Sequence, residues 1–215
     1  YSFATGNELN MNLKILSLVI IGVCILLPDV CYAFLSKDVH LLNMQNGLAD
    51  NTVSAVYKDK EGFVWFGTRN GLSRYDGRRI TNFERSRSYP SISNLKEVFD
   101  GVLAFVDNGV FSAFDLKKER FLSVVSSSGQ GIPSRGMLQR NDSLVWVISG
   151  SELHLMKRCA SKEGELRLRV QEKYTGWNNQ DNLLVAITYS SDKKSICLID
   201  EKGRIILLDA TNLSF

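Results

Sequence analysis

The sequence predicts an all-β chain of about four repeated four-stranded antiparallel units, preceded by an N-terminal helix that is not part of the fold. Three observations predict it. Strand-length apolar runs alternate with Asn-Gly and Asp-Gly turns, as in Phe63-Val64-Trp65-Phe66 before Asn70-Gly71 and Leu72 to Tyr75 before Asp76-Gly77. The pattern recurs at about forty residues, the length of a small four-stranded sheet unit. One unbroken apolar run stands near the N-terminus and nowhere else.

Composition sets the outer limits. The 215 residues are 44% apolar and 23% charged, which is ordinary for a globular chain. Three prolines and no low-complexity tract argue against a long disordered segment. The formal charge is only +3 and no basic stripe is present, so no nucleic-acid contact is expected of this segment.

Residues 11 to 33 have the form of a secretory signal peptide. Met11 to Lys14 supplies a short positive start, and Ile15 to Leu27 is apolar or small throughout. Pro28 to Ala33 ends in small residues at the −3 and −1 positions, so cleavage is expected after Ala33. The thirteen residues of the apolar run fall short of the roughly 20 needed to cross a bilayer, which argues against a membrane anchor. Val23 before Cys24 and Val30 before Cys31 are too bulky for a lipid-attachment site. Residues 1 to 10 are expected to be upstream leader or the edge of a fragment. Cleavage would leave 25 basic and 21 acidic residues and two cysteines, Cys159 and Cys197, which read as separate small hydrophobes in dissimilar places.

The first unit spans residues 47 to 90. Thr52 to Asp59 alternates small or polar with apolar residues, as an inner strand close to its neighbours would. Asp59-Lys60-Glu61-Gly62 turns the chain into Phe63 to Phe66, apolar on both faces and therefore buried between two layers. Asn70-Gly71 is a tight hairpin turn, and Leu72 to Tyr75 and Arg79 to Phe83 complete a four-stranded meander. Weaker copies follow. Val102 to Asp115 places Gly109 38 residues after Gly71, and Asp142 to Leu155 places Trp146 81 residues after Trp65. Ser195 to Asp209 keeps strand, Gly203 turn, strand and Asp. The expected units are therefore 47–90, 91–125, 126–173 and 174–215, with 34–46 as a lead-in outer strand. Paired helices are excluded by the strand-length runs, and Leu166-Arg167-Leu168-Arg169-Val170 alternates as an outer strand with one wet face. The structural repeat residues are Trp65, Gly67, Asn70, Gly71, Tyr75, Asp76, Gly109, Trp146 and Gly203, with Trp65 and Trp146 expected to pack between units.

The runs Gly47-Leu48-Ala49-Asp50-Asn51-Thr52-Val53, Asp59 to Thr68 and Asn70 to Gly77 resemble the two-component regulator propeller repeat almost residue for residue. The likeness is specific over 47–83 and degenerate in the other three copies. Val39-His40-Leu41-Leu42 resembles the family's opening outer strand, which closes the ring against the last blade. The resemblance implies a partial β-propeller of about four blades from the N-terminal piece of a periplasmic sensor. In such hybrid two-component systems two seven-bladed propellers and an immunoglobulin-like domain precede a membrane helix, a histidine kinase, a receiver and a DNA-binding domain. It implies an oligosaccharide ligand, a homodimer partner and further blades, with the full-length protein in the inner membrane. This chain departs by carrying about four blades of seven and no nucleotide-binding glycine motif or receiver-like aspartate cluster. Any kinase activity is therefore expected elsewhere, and an isolated fragment is expected to self-associate through its end blades.

The site chemistry is thin. Only His40 and His154 are available for a catalytic relay, and both are expected on strands. Gly131 to Gly136 lacks G-x-S-x-G spacing, and Gly129-Gln130-Gly131 lacks the third glycine and the helix of a dinucleotide loop. No Cys/His cluster has zinc spacing and no acidic loop fits calcium, so no catalytic residue, cofactor or metal is expected. The ligand-binding candidates are Trp177 and Asn178, in the connection between the third and fourth units, and Arg69 in a turn on the same expected face. An indole can stack on a sugar ring while amides bond its hydroxyls. The alternatives are a stand-alone periplasmic scaffold for protein partners and a secreted carbohydrate-active enzyme. The enzyme would need two convergent carboxylates or a His/Tyr pair on mouth loops, which are not found.

Overall fold

A computed structural model describes residues 41–84, 91–175 and 182–211. The first sheet is a meander of β1 (Val53–Lys58), β2 (Val64–Thr68), β3 (Gly71–Tyr75) and β4 (Ile80–Phe83), hydrogen-bonded in that order. Its register pairs Trp65 with Tyr57 on one side and Arg74 on the other. The second set is β5 (Ile92–Phe99), β6 (Val102–Asp107), β7 (Val110–Asp115) and β8 (Arg120–Ser126); the third is β9 (Gly136–Asn141), β10 (Leu144–Ser149), β11 (Glu152–Cys159) and β12 (Glu165–Tyr174). The fourth has three strands among the described residues, β13 (Leu184–Tyr189), β14 (Ser195–Asp200) and β15 (Ile205–Asp209). The fold is all-β, and its repeated antiparallel sheets form a partial propeller.

The first strands of successive sheets lie side by side, β1 against β5, β5 against β9 and β9 against β13. The core consequently lies in the seams between sheets. Trp65 and Leu72 of the first sheet meet Ile92, Leu103, Phe105 and Phe114 of the second. Met137, Val145 and Val147 meet Val98, Val106 and Phe111, and Trp146 with Leu155 meets Ile187, Ile196 and Leu198. Trp65 is 5.5 Å from Phe114 and Phe83 is 4.8 Å from Phe114, ring centre to centre, tilted or edge to face. Each such pair contributes about 1 kcal/mol beyond its buried area.

Two features differ from the simple series of separate units. The strand over residues 165–174 alternates buried Leu166 and Leu168 with exposed Arg169 as expected, yet its outer edge is not open. It pairs in parallel with β8, Glu165–Leu168 against Ser123–Ser126, and fuses the second and third sets into one eight-stranded sheet. Two neighbouring outer strands would each present unpaired N–H and C=O groups, and joining them pairs part of both edges over these four residues. The second difference is in the lead-in. The expected outer strand over 34–46 falls mostly outside the described residues; its described part contains no strand and ends in a 3-10 turn, Met44–Asn46, capped by Asn43. Asn43 and Gly47, with its φ of 103°, bend the chain there. The expected signal-peptide segment 11–33 and His40 lie outside the described residues.

Candidate functional site

The residues of the repeat form the hydrogen-bonded frame on which any site is built. Asp59 closes the β1–β2 hairpin by accepting from the amides of Glu61 and Phe63, and its second oxygen accepts the Trp65 indole N–H at 2.7 Å. Asn141 does the equivalent at the β9–β10 turn, accepting from the amides of Ser143 and Leu144. The Asp that ends the third strand of a unit caps the following turn: Asp76 accepts from Arg78 and Arg79, Asp115 from Lys117 and Lys118, and Asp209 from Thr211. This local side-chain capping is the physical reason for the recurring Asp. Those amide bonds hold the Asp76 carboxyl below its ordinary range.

Around the β2–β3 turn the signature residues clamp the loop that leads into β1. Asn70 donates to the Ala49 carbonyl at 3.1 Å, and the Ser73 hydroxyl accepts the Ala49 amide and bonds Asn82, which donates to Gly47. Gly71, at a φ of 117°, has the Phe83 carbonyl oxygen where a side chain would stand, 2.5 Å from an ideal Cβ. Tyr75 donates its hydroxyl proton to the Gly77 carbonyl at 2.8 Å. Arg69 sits exposed in the turn beside Asn70 and lines neither of the two cavities described below. Trp177 and Asn178 lie outside the described residues, so of the three sequence candidates only Arg69 has a described position. Trp65 and Trp146 are buried in the seams, Gly109 and Gly203 occupy turns at φ of 77°, and Cys159 and Cys197 are free thiols.

Two cavities open at the other end of the strands, toward the hairpins that follow the inner strands. A cleft of about 460 Å³ between the first and second sheets has Phe63, Trp65 and Leu116 as its apolar wall. Arg74 spans it, with its guanidinium 4.8 Å from the Phe63 ring centre, 5.5 Å from that of Phe83 and 2.6 Å from a Glu119 carboxylate oxygen. Lys60 pairs with the nearly buried Glu97 at 3.2 Å. The charges of this cleft are thus largely matched internally.

A second cavity, about 870 Å³, lies where the inner strands of the second, third and fourth sets converge. Lys96 of β5, Arg140 of β9 and Lys193 and Lys194 of the β13–β14 hairpin line it, with the Tyr189 hydroxyl and Asp209. Arg140 lies over the Trp146 ring at 5.1 Å. Burial pushes the Lys96 ammonium's pKa down and raises that of the Tyr189 phenol. β-Bulges in β5 on either side of Lys96 and Glu97, with Asn94 at a φ of 52°, accompany the division of these neighbours between the two cavities. Of the lining residues only Asp209 stood out in the sequence, as the repeat Asp of the fourth copy. The cations and Tyr189 are polar residues in otherwise ordinary strands or turns, and only the side-by-side inner strands gather them.

The fold defined by these sheets is that of the propellers. Over residues 47–70, at the head of the first sheet, the chain matches the family described as Two component regulator propeller. No curated protein matches the chain in sequence. Among solved structures, the extracellular domain of BT4673 from B. thetaiotaomicron, described as a one component system, aligns over 80% of this chain and 26% of its own, with 15% identity and a TM-score of 0.61. The extracellular domain of BT3049 from the same organism, described as a hybrid two component system, aligns over 81% and 25%, with 21% identity and a TM-score of 0.53. The dihydro-heme d1 dehydrogenase NirN aligns over 78% and 37%, with 16% identity and a TM-score of 0.51. At these identities the likeness is one of fold. The chain spans about a quarter of the length of the two extracellular domains.

Proposed function

We propose that this chain is a non-catalytic, ligand-sensing propeller segment of a two-component sensor, held in the periplasm after removal of the signal peptide at Ala33, with an oligosaccharide as its ligand. The observation that carries the reading is the regulator-propeller repeat over residues 47–70, seated in the first sheet by the Asn70, Ser73 and Asn82 clamp. Two neighbours of the same fold, described as extracellular domains of signalling systems, support it. NirN is an enzyme on a similar fold, so the fold alone does not decide between sensing and catalysis.

In this reading the kinase that transmits the signal belongs to another part of a longer, inner-membrane protein that acts as a homodimer. Further blades cover the flanks of the described sheets. Val53 and Val56 on β1 and Ile205 and Leu207 on β15 are exposed apolar residues on those flanks, which supports this arrangement. The test is a thermal-shift and calorimetric screen of the full-length protein against neutral and acidic oligosaccharides. Binding to at least one, with a change in autophosphorylation, is expected; no response to any of them overturns the reading.

A further inference from the structure

The second cavity gathers cations without matching carboxylates. In the cleft between the first and second sheets, by contrast, cations stand beside carboxylates: Lys60 with Glu97, Arg74 with Glu119 and Lys117 with Asp100. Lys96, Arg140, Lys193 and Lys194 make no ion pair among the described residues. Asp209 is the one carboxylate among the residues lining this cavity, and its Oδ1 already accepts the Thr211 amide. Lys96 is half-buried and experiences burial with no compensating negative neighbour. Like charges gathered in a concave, partly dehydrated site repel one another and focus a positive potential that draws anions in.

The shape suits a ligand of several rings or groups. The cavity's 870 Å³ lies within the roughly 300–1,000 Å³ typical of small-molecule sites. The four cations come from the second, third and fourth sets, so an anion bridging them would tie the eight-stranded sheet to the β13–β15 sheet. Arg140 is pre-positioned by its stacking on Trp146, which limits the rotamer freedom lost on forming a two-pronged bond to a carboxylate or sulfate. The Tyr189 hydroxyl and the Gln139 amide add neutral groups able to bond sugar hydroxyls.

We infer that this cavity is an anion-recognition site and that the ligand is an acidic oligosaccharide, whose carboxylate or sulfate groups are held by Lys96, Arg140, Lys193 and Lys194. The inference rests on the oligosaccharide-sensing reading and narrows it to one chemical class.

The test is calorimetric titration of the full-length protein with a sulfated heparin-derived hexasaccharide, an oligogalacturonate of the same length and neutral maltohexaose. Lys96→Gln and the double change Lys193→Gln/Lys194→Gln are compared with Lys202→Gln, which removes a charge from the exposed β14–β15 turn. Binding of at least one acidic sugar is expected, weakened about tenfold by each cavity variant and by raised salt, and within twofold of wild type in Lys202→Gln. The hairpin double variant changes exposed residues only, so folding does not confound it, and a circular-dichroism melt checks Lys96→Gln. Maltohexaose binding as tightly as the acidic sugars would overturn the anion site while leaving the sensing role. An equal loss in Lys202→Gln and the cavity variants would overturn it as nonspecific charge attraction. No binding by any of the three sugars would overturn it outright.

Discussion

Gly67 of β2 and Ile92 of β5 meet at the seam between the first two sheets so closely that a β-carbon on Gly67 would stand 2.5 Å from Ile92 Cγ2 and 3.1 Å from Ile92 Cβ. The repeat needs glycine there for proximity, since Gly67 has no positive φ. Gly67→Ala must push the second sheet away and is expected to cost about 2–3 kcal/mol by overpacking. Gly131→Ala, whose Cβ would meet only Val110 Cγ1 at an ordinary 3.8 Å, serves as the comparison and should be near neutral. Urea midpoints of the two variants decide; equal midpoints would refute the account of the seam.

Asp59 serves the first hairpin and the buried indole of Trp65 at once. Asp59→Ala leaves that N–H and two turn amides without their partner and should destabilise by about 2–3 kcal/mol. Asp59→Asn keeps an oxygen acceptor and should lose roughly half as much. Denaturant unfolding of both variants checks the order.

Arg74 lies against three aromatic rings and pairs with Glu119. A lysine would keep the charge but lose the planar group that stacks, so Arg74→Lys is expected to cost about 1 kcal/mol. Stacking and packing are screened less than a part-exposed ion pair. The difference from wild type should therefore survive in concentrated sodium chloride, and a melt at two salt concentrations tests this.

Asp200 gives the chain an acid-sensitive turn. Burial alone would raise its pKa, but the Arg204 amide and guanidinium, with the Lys202 amide, outweigh burial and hold it below 3.8. A carboxyl depressed in the folded state stabilises above its unfolded value, and that contribution disappears as pH falls through the lower folded value. Asp200→Asn should therefore be less stable than wild type at pH 7, with the gap closing as the pH falls below the ordinary aspartate range. Urea midpoints across that range measure it, and a constant gap would contradict the assignment.

The repeat made much of the fold legible. Alternation and Asn-Gly or Asp-Gly turns placed the strands of the first sheet, because local backbone geometry alone requires those residues. The parallel union of β8 with β12 was not legible, since pairing between outer strands of different units leaves no periodic mark. The same holds for the cavity. Lys96 differs from its strand neighbours in no local way, and its meeting with Arg140 and Lys193 is a consequence of three inner strands lying abreast. Arg69 and Asn70 were legible as a turn, and Asn70 proves to clamp the Ala49 carbonyl.

The union of β8 with β12 also determines where this assembly can yield. A single continuous hydrogen-bonded plate shears poorly, so the seam it bridges is stiff. The neighbouring joints, held by side-chain packing and a few stitches such as the Ser54 hydroxyl to the Ile92 carbonyl and the Leu184 amide to the Gly150 carbonyl, are the creases that remain. The basic cavity lies across one of them, between the plate and the β13–β15 sheet. A ligand filling it would bridge that crease, so its binding is expected to stiffen the joint between the plate and the β13–β15 sheet.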